Sequence, residues 1–244
     1  MRLLVDAGNT RVKWQLRNGD AIVRQGVGEL GPALFDDLAS LDSSISGVAV
    51  STVVSEQKRS ELAQVLARHL AVPPQFYWAE AERDGLVNAY ATPGRMGADR
   101  WHGMYGAWKD LASGFAVIDA GSAVTVDYVN DRGQHLGGYI LPGRGMMLRS
   151  LKNDAARIGF EDHEVSAGDP GASTTECVHH GLFWLWQAMA SRIHRDCDTN
   201  GINTILVTGG DAAGIQAAGL QGDLAGDLVL AGLAAIDAEE QAAS

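Results

Sequence analysis

Two short segments combine a carboxylate, a glycine and a hydroxyl or amide in an order suited to phosphate chemistry. Asp6-Ala7-Gly8-Asn9-Thr10 follows the apolar run Leu3-Leu4-Val5, and Asp119-Ala120-Gly121-Ser122 follows Ala116-Val117-Ile118. In each, an apolar strand ends on an acid, a glycine lets the backbone bend closely, and a polar side chain faces whatever lies above the turn. The aspartates are 113 residues apart, and so are the glycines. Two such turns suggest two walls around one phosphate. Asp6 can hold magnesium directly or through water, while Gly8, Asn9 and Thr10 offer donors to phosphate oxygens and Lys13 adds a positive charge. Ser122 and the Gly121 backbone offer the same on the second turn. Asp119 and Asp127 bring negative charge that needs a cation or a satisfied turn beside it.

Further segments have weaker signals. Gly97-Ala98-Asp99-Arg100 stands where an irregular stretch enters a helix, a place that favours an anion. The Arg100 fork suits a carboxylate, and Asp99 suits proton acceptance from an attacking hydroxyl. Taken alone, the motif reads better as a helix-start acid beside a surface arginine. Gly137-Gly138-Tyr139-Ile140-Leu141-Pro142-Gly143 is a tight β-to-α turn, and Thr208-Gly209-Gly210-Asp211 lets a flat ligand lie against backbone. Thr174-Thr175 reads as a helix cap. His179-His180 lacks a third ligand at metal spacing, so it is expected to be a surface or interface pair. Trp101, Trp108, Trp184 and Trp186 are expected in the core or at a subunit contact.

The elements that must position these groups follow a repeated order. Strands are expected at 3–5, 12–16 and 21–26 around an Asn18-Gly19 hairpin, then a helix from Pro32 to Leu41, a buried strand at 47–51, a helix capped by Ser55, and a strand at 75–79. Residues 85–97 look irregular before a helix from Ala98 to Leu111. A second meander at 115–118, 124–129 and 135–140 is followed by helices at 143–154 and 174–195, a strand at 204–207, the stretch Leu228 to Ala231 and a last helix. A duplicated mixed α/β domain divided near residue 113 is the economical account, with 1–113 as one domain and 114–244 as the other.

Bulk properties agree with this. The 244 residues suffice for two domains, and 30 acidic against 19 basic residues, a formal charge of −11, argue against an extended nucleic-acid surface. A local cluster of Arg95, Arg100 and Lys109 remains available for a small anion. Only Cys177 and Cys197 occur, which fits a reducing, cytoplasmic setting with buried thiols. Met1-Arg2 leads straight into a strand without a signal peptide, and no run approaches a membrane span.

Four segments in one order resemble the type III pantothenate kinases of the acetate and sugar kinase, Hsp70 and actin superfamily: residues 6–10, 97–100, 119–127 and 137–143. The resemblance implies duplicated ribonuclease-H-like, actin-like ATPase domains with mixed five-stranded sheets, and ATP-dependent phosphorylation of pantothenate to 4'-phosphopantothenate, the first step of coenzyme A biosynthesis. It implies ATP contacts from Asp6, Ala7, Gly8, Asn9, Thr10, Arg11, Val12, Lys13, Ser122, Gly209 and Gly210. It makes Asp99 the general base and Tyr90, Gly97, Ala98, Asp99, Arg100 and Thr175 the pantothenate site. Asp119 is implied as the site of potassium or ammonium. Thr175 reaches a neighbour's pocket in relatives, which implies a homodimer. Serine at 122 replaces the usual threonine, and residues 176–180 and Trp184 depart from the family pattern. Another small-molecule kinase of the superfamily would keep the phosphate turns without needing the 97–100 clamp, and a non-catalytic nucleotide-binding regulator would need no turnover.

Overall fold

The computed structural model describes residues 1–38, 44–155, 158–161 and 169–243. The chain forms two compact units, Met1–Ala112 with Asp227–Ser244, and Ser113–Gly226.

In the first unit, β1 (Arg2–Ala7), β2 (Val12–Asn18) and β3 (Ala21–Gly28) form an antiparallel meander, and β4 (Gly47–Thr52) lies parallel to β1. Helix α1 (Glu56–His69) crosses to β5 (Pro74–Tyr77), giving the order β3-β2-β1-β4-β5. Ser55 starts α1 by accepting from the Lys58 backbone N–H at 3.4 Å, and Leu62, Val65 and Leu66 bury its inner face. They pack with Leu3, Val5, Val48 and Val50. Each such side chain contributes at most about 1.5–3 kcal/mol. Alternation places Leu3 and Val5 on that face and leaves Asp6 on the other. Of the helix expected from Pro32 to Leu41, residues 32–35 form turns instead, 36–38 form a short 3-10 stretch, and 39–41 fall outside the described residues.

The irregular stretch expected from residue 85 begins instead inside a small hairpin, β6 (Glu82–Arg83) with β7 (Leu86–Val87). Its turn holds Asp84 at φ 47° and Gly85 at φ 83°, both left-handed, as a two-residue Asp-Gly turn requires. A 3-10 turn at Pro93–Arg95 then leads into α2 (Ala98–Leu111).

The second unit repeats the topology. β8 (Phe115–Ala120), β9 (Ala123–Val129) and β10 (His135–Pro142) form the meander. After α3 (Arg144–Asp154) and the long α4 (Thr174–Asn200), β11 (Thr204–Thr208) pairs parallel to β8. Helix α5 (Ala212–Ala217) and β12 (Asp223–Leu224) complete the order β10-β9-β8-β11-β12. Trp186, Ala190, Ile193 and Cys197 of α4 cover Ala116, Ile118, Val124 and Val126. Burial pushes the Cys197 thiol up to about 11, whereas Cys177 is exposed, so the expectation of two buried thiols fails at Cys177.

The final segment departs from the sequence-based division. Leu228–Ala231 is the first turn of a single helix, α6 (Leu228–Ala243), and α6 belongs to the first unit, not the second. It packs against α2 with backbones almost touching. A Cβ at Gly106 would lie 2.6 Å from the Leu228 carbonyl oxygen, and a Cβ at Gly232 would overlap the His102 carbonyl oxygen. Asp237 of α6, nearly fully buried, accepts from Arg2 Nε at 2.7 Å and from the Tyr77 hydroxyl at 2.8 Å, fixing the helix to β1 and β5. Among the described residues no helix is long and apolar enough to cross a membrane.

Candidate active site

The first turn is closed by the Gly8 N–H donating to the Arg11 carbonyl at 3.0 Å. Asp6 sits at the end of β1 between Lys13 of β2 and Ser51 of β4, and the row continues to Tyr77 of β5. All four therefore share one face of the sheet. Asn9, Thr10 and Arg11 are exposed, Ala7 and Val12 are buried, and Lys58 Nζ donates to the Asn9 carbonyl at 3.0 Å. A cavity of about 240 Å³ lies beside residues 7–12, bounded by Lys58 and Glu61 of α1. Lys58 carried no sequence signal beyond a helix-surface charge. Lys13 is held 2.7 Å from Asp227, whose other oxygen accepts from Gln15 Nε2 at 3.5 Å.

The second turn is built differently. Asp119 occupies the corresponding node, between Thr125 of β9 and Thr208 of β11. The Gly121 N–H donates to the Ala123 carbonyl at 2.9 Å, the Gly143 N–H donates to the Ser122 carbonyl at 3.0 Å, and the Asp211 N–H donates to the Ala120 carbonyl at 2.8 Å. Three sequence segments thus meet at one turn. Gly209 adopts φ 94°, and a Cβ there would lie 2.5 Å from Asp119 Oδ1 and 2.4 Å from the Ala120 oxygen. A Cβ at Gly143 would lie 2.3 Å from the Gly121 oxygen. The Asp119 carboxylate and the neighbouring carbonyl oxygens are hard oxygen donors of the kind that hard cations take. Asp127, one residue beyond Val126 on β9, is buried and bonded at 3.0 Å to the His135 ring, which makes it part of the core of this unit.

At the start of α2, Gly97 lies beneath the Asp99 carboxylate, since a Cβ at 97 would be 2.6 Å from Asp99 Oδ1. That oxygen also accepts from the Arg100 N–H at 2.7 Å. Ala98 is buried behind them. Arg100 is only 7% exposed, and its Nη1 donates to the Tyr90 hydroxyl at 2.7 Å, with the guanidinium 5.7 Å from the Tyr90 ring centre. Tyr90 is itself placed by Asn88, which accepts from the Tyr90 N–H at 2.9 Å and donates to the Glu80 carbonyl at 3.0 Å. Sequence reading missed Asn88, although an asparagine two residues before a fixed N–H is an Asx-turn signal. Arg100 and Tyr90 are brought together, but Lys109 is not part of a cationic cluster with them. It is 2.8 Å from Asp84 and 3.3 Å from Glu239.

Around α4, the cap is Ser173, not Thr174 or Thr175: its Oγ accepts from the Glu176 N–H at 3.2 Å, while Glu176 accepts from the Ala172 N–H at 2.7 Å. Thr175 Oγ1 accepts from the Glu161 N–H at 3.3 Å. His179 is buried, contrary to the expected surface pair, with its ring nitrogens 2.9 Å from the Glu161 oxygen and 3.2 Å from Arg144 Nη2. His180 Nδ1 lies 2.7 Å from the Asp169 oxygen, and among the described residues no cluster of three or more His, Cys, Asp or Glu forms a metal site. Trp101 and Trp186 are buried and Trp184 is exposed.

The paired mixed sheets are those of the actin-like ATPases and sugar kinases. The (R)-2-hydroxyglutaryl-CoA dehydratase component A of Acidaminococcus fermentans superposes on this chain with a TM-score of 0.53 at 18% identity, covering 99% of this chain and 98% of that one. The chain belongs to the type III pantothenate kinase family, whose model matches residues 2–196. It is 52% identical over 96% of both chains to the type III pantothenate kinase of Marinobacter nauticus. It is 33% identical to that of Cellvibrio japonicus, over 96% of this chain and 95% of the relative.

Proposed function

We propose a division of labour among these residues in the ATP-dependent phosphorylation of pantothenate that defines the family. The observation that carries it is the cluster at the start of α2, where Gly97 leaves room for the Asp99 carboxylate and Arg100 is buried against Tyr90. Arg100 pairs with the pantothenate carboxylate, Tyr90 orients that fork, and Asp99 accepts the proton of the terminal hydroxyl. The hydroxyl oxygen forms a bond to the γ-phosphorus as the bond from that phosphorus to the β–γ bridging oxygen breaks. ADP is the leaving group, and the proton ends on Asp99.

Residues 6–13, Ser122, Gly209 and Gly210 bind ATP in this reading. Asp6 would hold magnesium through water, because a single carboxylate suits an ion that keeps much of its hydration. Asp119 with its neighbouring carbonyls would hold potassium or ammonium. These ions would neutralise phosphate charge. Thr175 contributes to the pantothenate pocket of a partner subunit in a homodimer; the exposure of Trp184 on α4 (62%) and Ile140 on the edge strand β10 (64%) supports a covered face on this unit. A cytoplasmic location, where ATP is held, belongs to the same reading.

The test is Asp99→Asn in the purified protein with ATP, magnesium, potassium and pantothenate. Turnover is expected to fall by roughly 100- to 10,000-fold while nucleotide affinity changes little. Near-normal formation of phosphopantothenate by the folded variant would remove Asp99 from the chemistry. Arg100→Leu is expected to weaken pantothenate binding and leave ATP binding nearly intact, read by calorimetric titration.

A further inference from the structure

The second turn of α2 contains a polar contact that no assigned role explains. His102 is fully buried, and its Nδ1 lies 2.7 Å from Ser51 Oγ, while Nε2 has no hydrogen-bond partner among the described residues. A leucine would fill this position without burying two ring nitrogens, so the imidazole costs stability that packing alone does not require. Ser51 is equally buried, and it is the β4 residue in direct register with Asp6 of β1. Val53, two residues further on, has its Cγ1 3.3 Å from where a Gly97 side chain would begin. Behind His102, α6 packs so closely that a Cβ at Gly232 would overlap the His102 carbonyl oxygen, which closes the other side.

From these contacts we infer that Ser51 and His102 form a positioning pair that fixes the register of the α2 N-terminus against β4, and so sets where Asp99 and Arg100 stand relative to Asp6. His102 is one turn along the helix from Asp99, on the stretch that carries both groups. A packed apolar contact lets a helix slide by fractions of an ångström, whereas a hydrogen bond at 2.7 Å with Gly232 behind it does not. Displacements of that size matter for a base that must meet a hydroxyl in line with a phosphorus. The inference rests on Asp99 and Arg100 handling pantothenate.

Ser51→Ala removes the hydroxyl with little change in volume, and His102→Leu keeps the bulk without the nitrogens. Each is expected to lower kcat about tenfold and to raise the KM for pantothenate several-fold, with the KM for ATP unchanged within twofold. The double variant should be no worse than His102→Leu alone. His102→Asn, whose amide stands near the Nδ1 position, should recover most of kcat. In an Asp99→Asn background, adding His102→Leu should leave kcat unchanged, because the pair acts through the base. A folded Ser51→Ala enzyme with wild-type kcat and KM would overturn the inference, as would a His102→Leu loss that multiplies with that of Asp99→Asn. An active Asp99→Asn enzyme would instead overturn the assignment of the base on which the inference rests, so the two failures are separable.

Discussion

The two turns occupy the same node of the same topology, yet they are stabilised in opposite ways. Asp6 sits in a row of side chains, Lys13, Ser51 and Tyr77, and the turn beyond it has a cavity at its side. Asp119 sits between two threonines in a cage of backbone, where Gly143 and Gly209 approach so closely that neither has space for a methyl group. Duplication kept the strand order and the aspartate. What differs is what surrounds each aspartate: a row of side chains in the first unit, and closely packed backbone with its carbonyl oxygens in the second.

The sharpest break of this comparison is at the aspartates. Asp6→Asn is expected to lower turnover by about 100- to 1,000-fold in saturating ATP, the usual cost of removing one charged participant in phosphoryl transfer. Asp119→Asn should lower activity in potassium to the level the wild type shows in sodium and leave the sodium rate alone. Ion-substitution kinetics on both variants check this, and equal potassium dependence in wild type and Asp119→Asn would dissolve the distinction between the two nodes.

A methyl group added to each turn sharpens it next. Gly209→Ala forces a side chain at φ 94° against the Ala120 oxygen and should cost about 1–3 kcal/mol of stability. Gly8→Ala meets the Arg11 oxygen at 3.1 Å and should cost under about 1 kcal/mol. Chemical denaturation of both variants measures the difference; similar losses would show that the second turn is no tighter than the first.

Acid stability probes the side-chain-rich face of the first unit. Desolvation, aided by the Arg83 charge, pushes His102 down to about 3 from an ordinary value of 6.5. The unfolded chain therefore binds a proton that the folded chain refuses between those values, and stability is lost as pH falls below about 6.5. The slope approaches about 1.4 kcal/mol per pH unit from this group alone. Melting curves between pH 7 and pH 5 should show His102→Leu gaining on the wild type as the solution is acidified, and parallel curves would refute the burial of a neutral ring.

The smallest effect belongs to Lys13. Its pair with Asp227 is 40% and 35% exposed, so Asp227→Asn should change stability by less than about 1 kcal/mol. Its KM for ATP is expected to rise about twofold or more while its melting temperature moves by no more than about 2–4 °C. Steady-state kinetics beside calorimetry compare the two.

Much of this was legible in the sequence because it is local. Period-two alternation marked both meanders, and apolar spacing with Ser55 marked α1. The Asp-Gly pair at 84–85 and Ser173 with Glu176 are equally local signals, for the small hairpin and the α4 cap, but sequence reading missed both. What escaped depends on distant partners. Nothing in the apolar run 228–236 says which unit it covers, because that is decided by Gly106 and Gly232 together. His179 resembles a surface residue until Arg144 and the Glu161 carbonyl are placed beside its ring, and His102 looks like any residue of an amphipathic helix until Ser51 is found opposite it.

The return of α6 to the first unit also orders events on the ribosome. Residues 113–226 are contiguous, so the second unit has all its strands and helices as soon as it leaves the exit tunnel. The first unit begins earlier and finishes later, since the α2 face that receives Gly232 stays uncovered until the codons after 226 have been read. Vectorial synthesis usually favours the N-terminal domain. In this chain the middle segment is the first whose elements are all synthesised, and the Gly106 face of α2 has its partner only when the last helix is made.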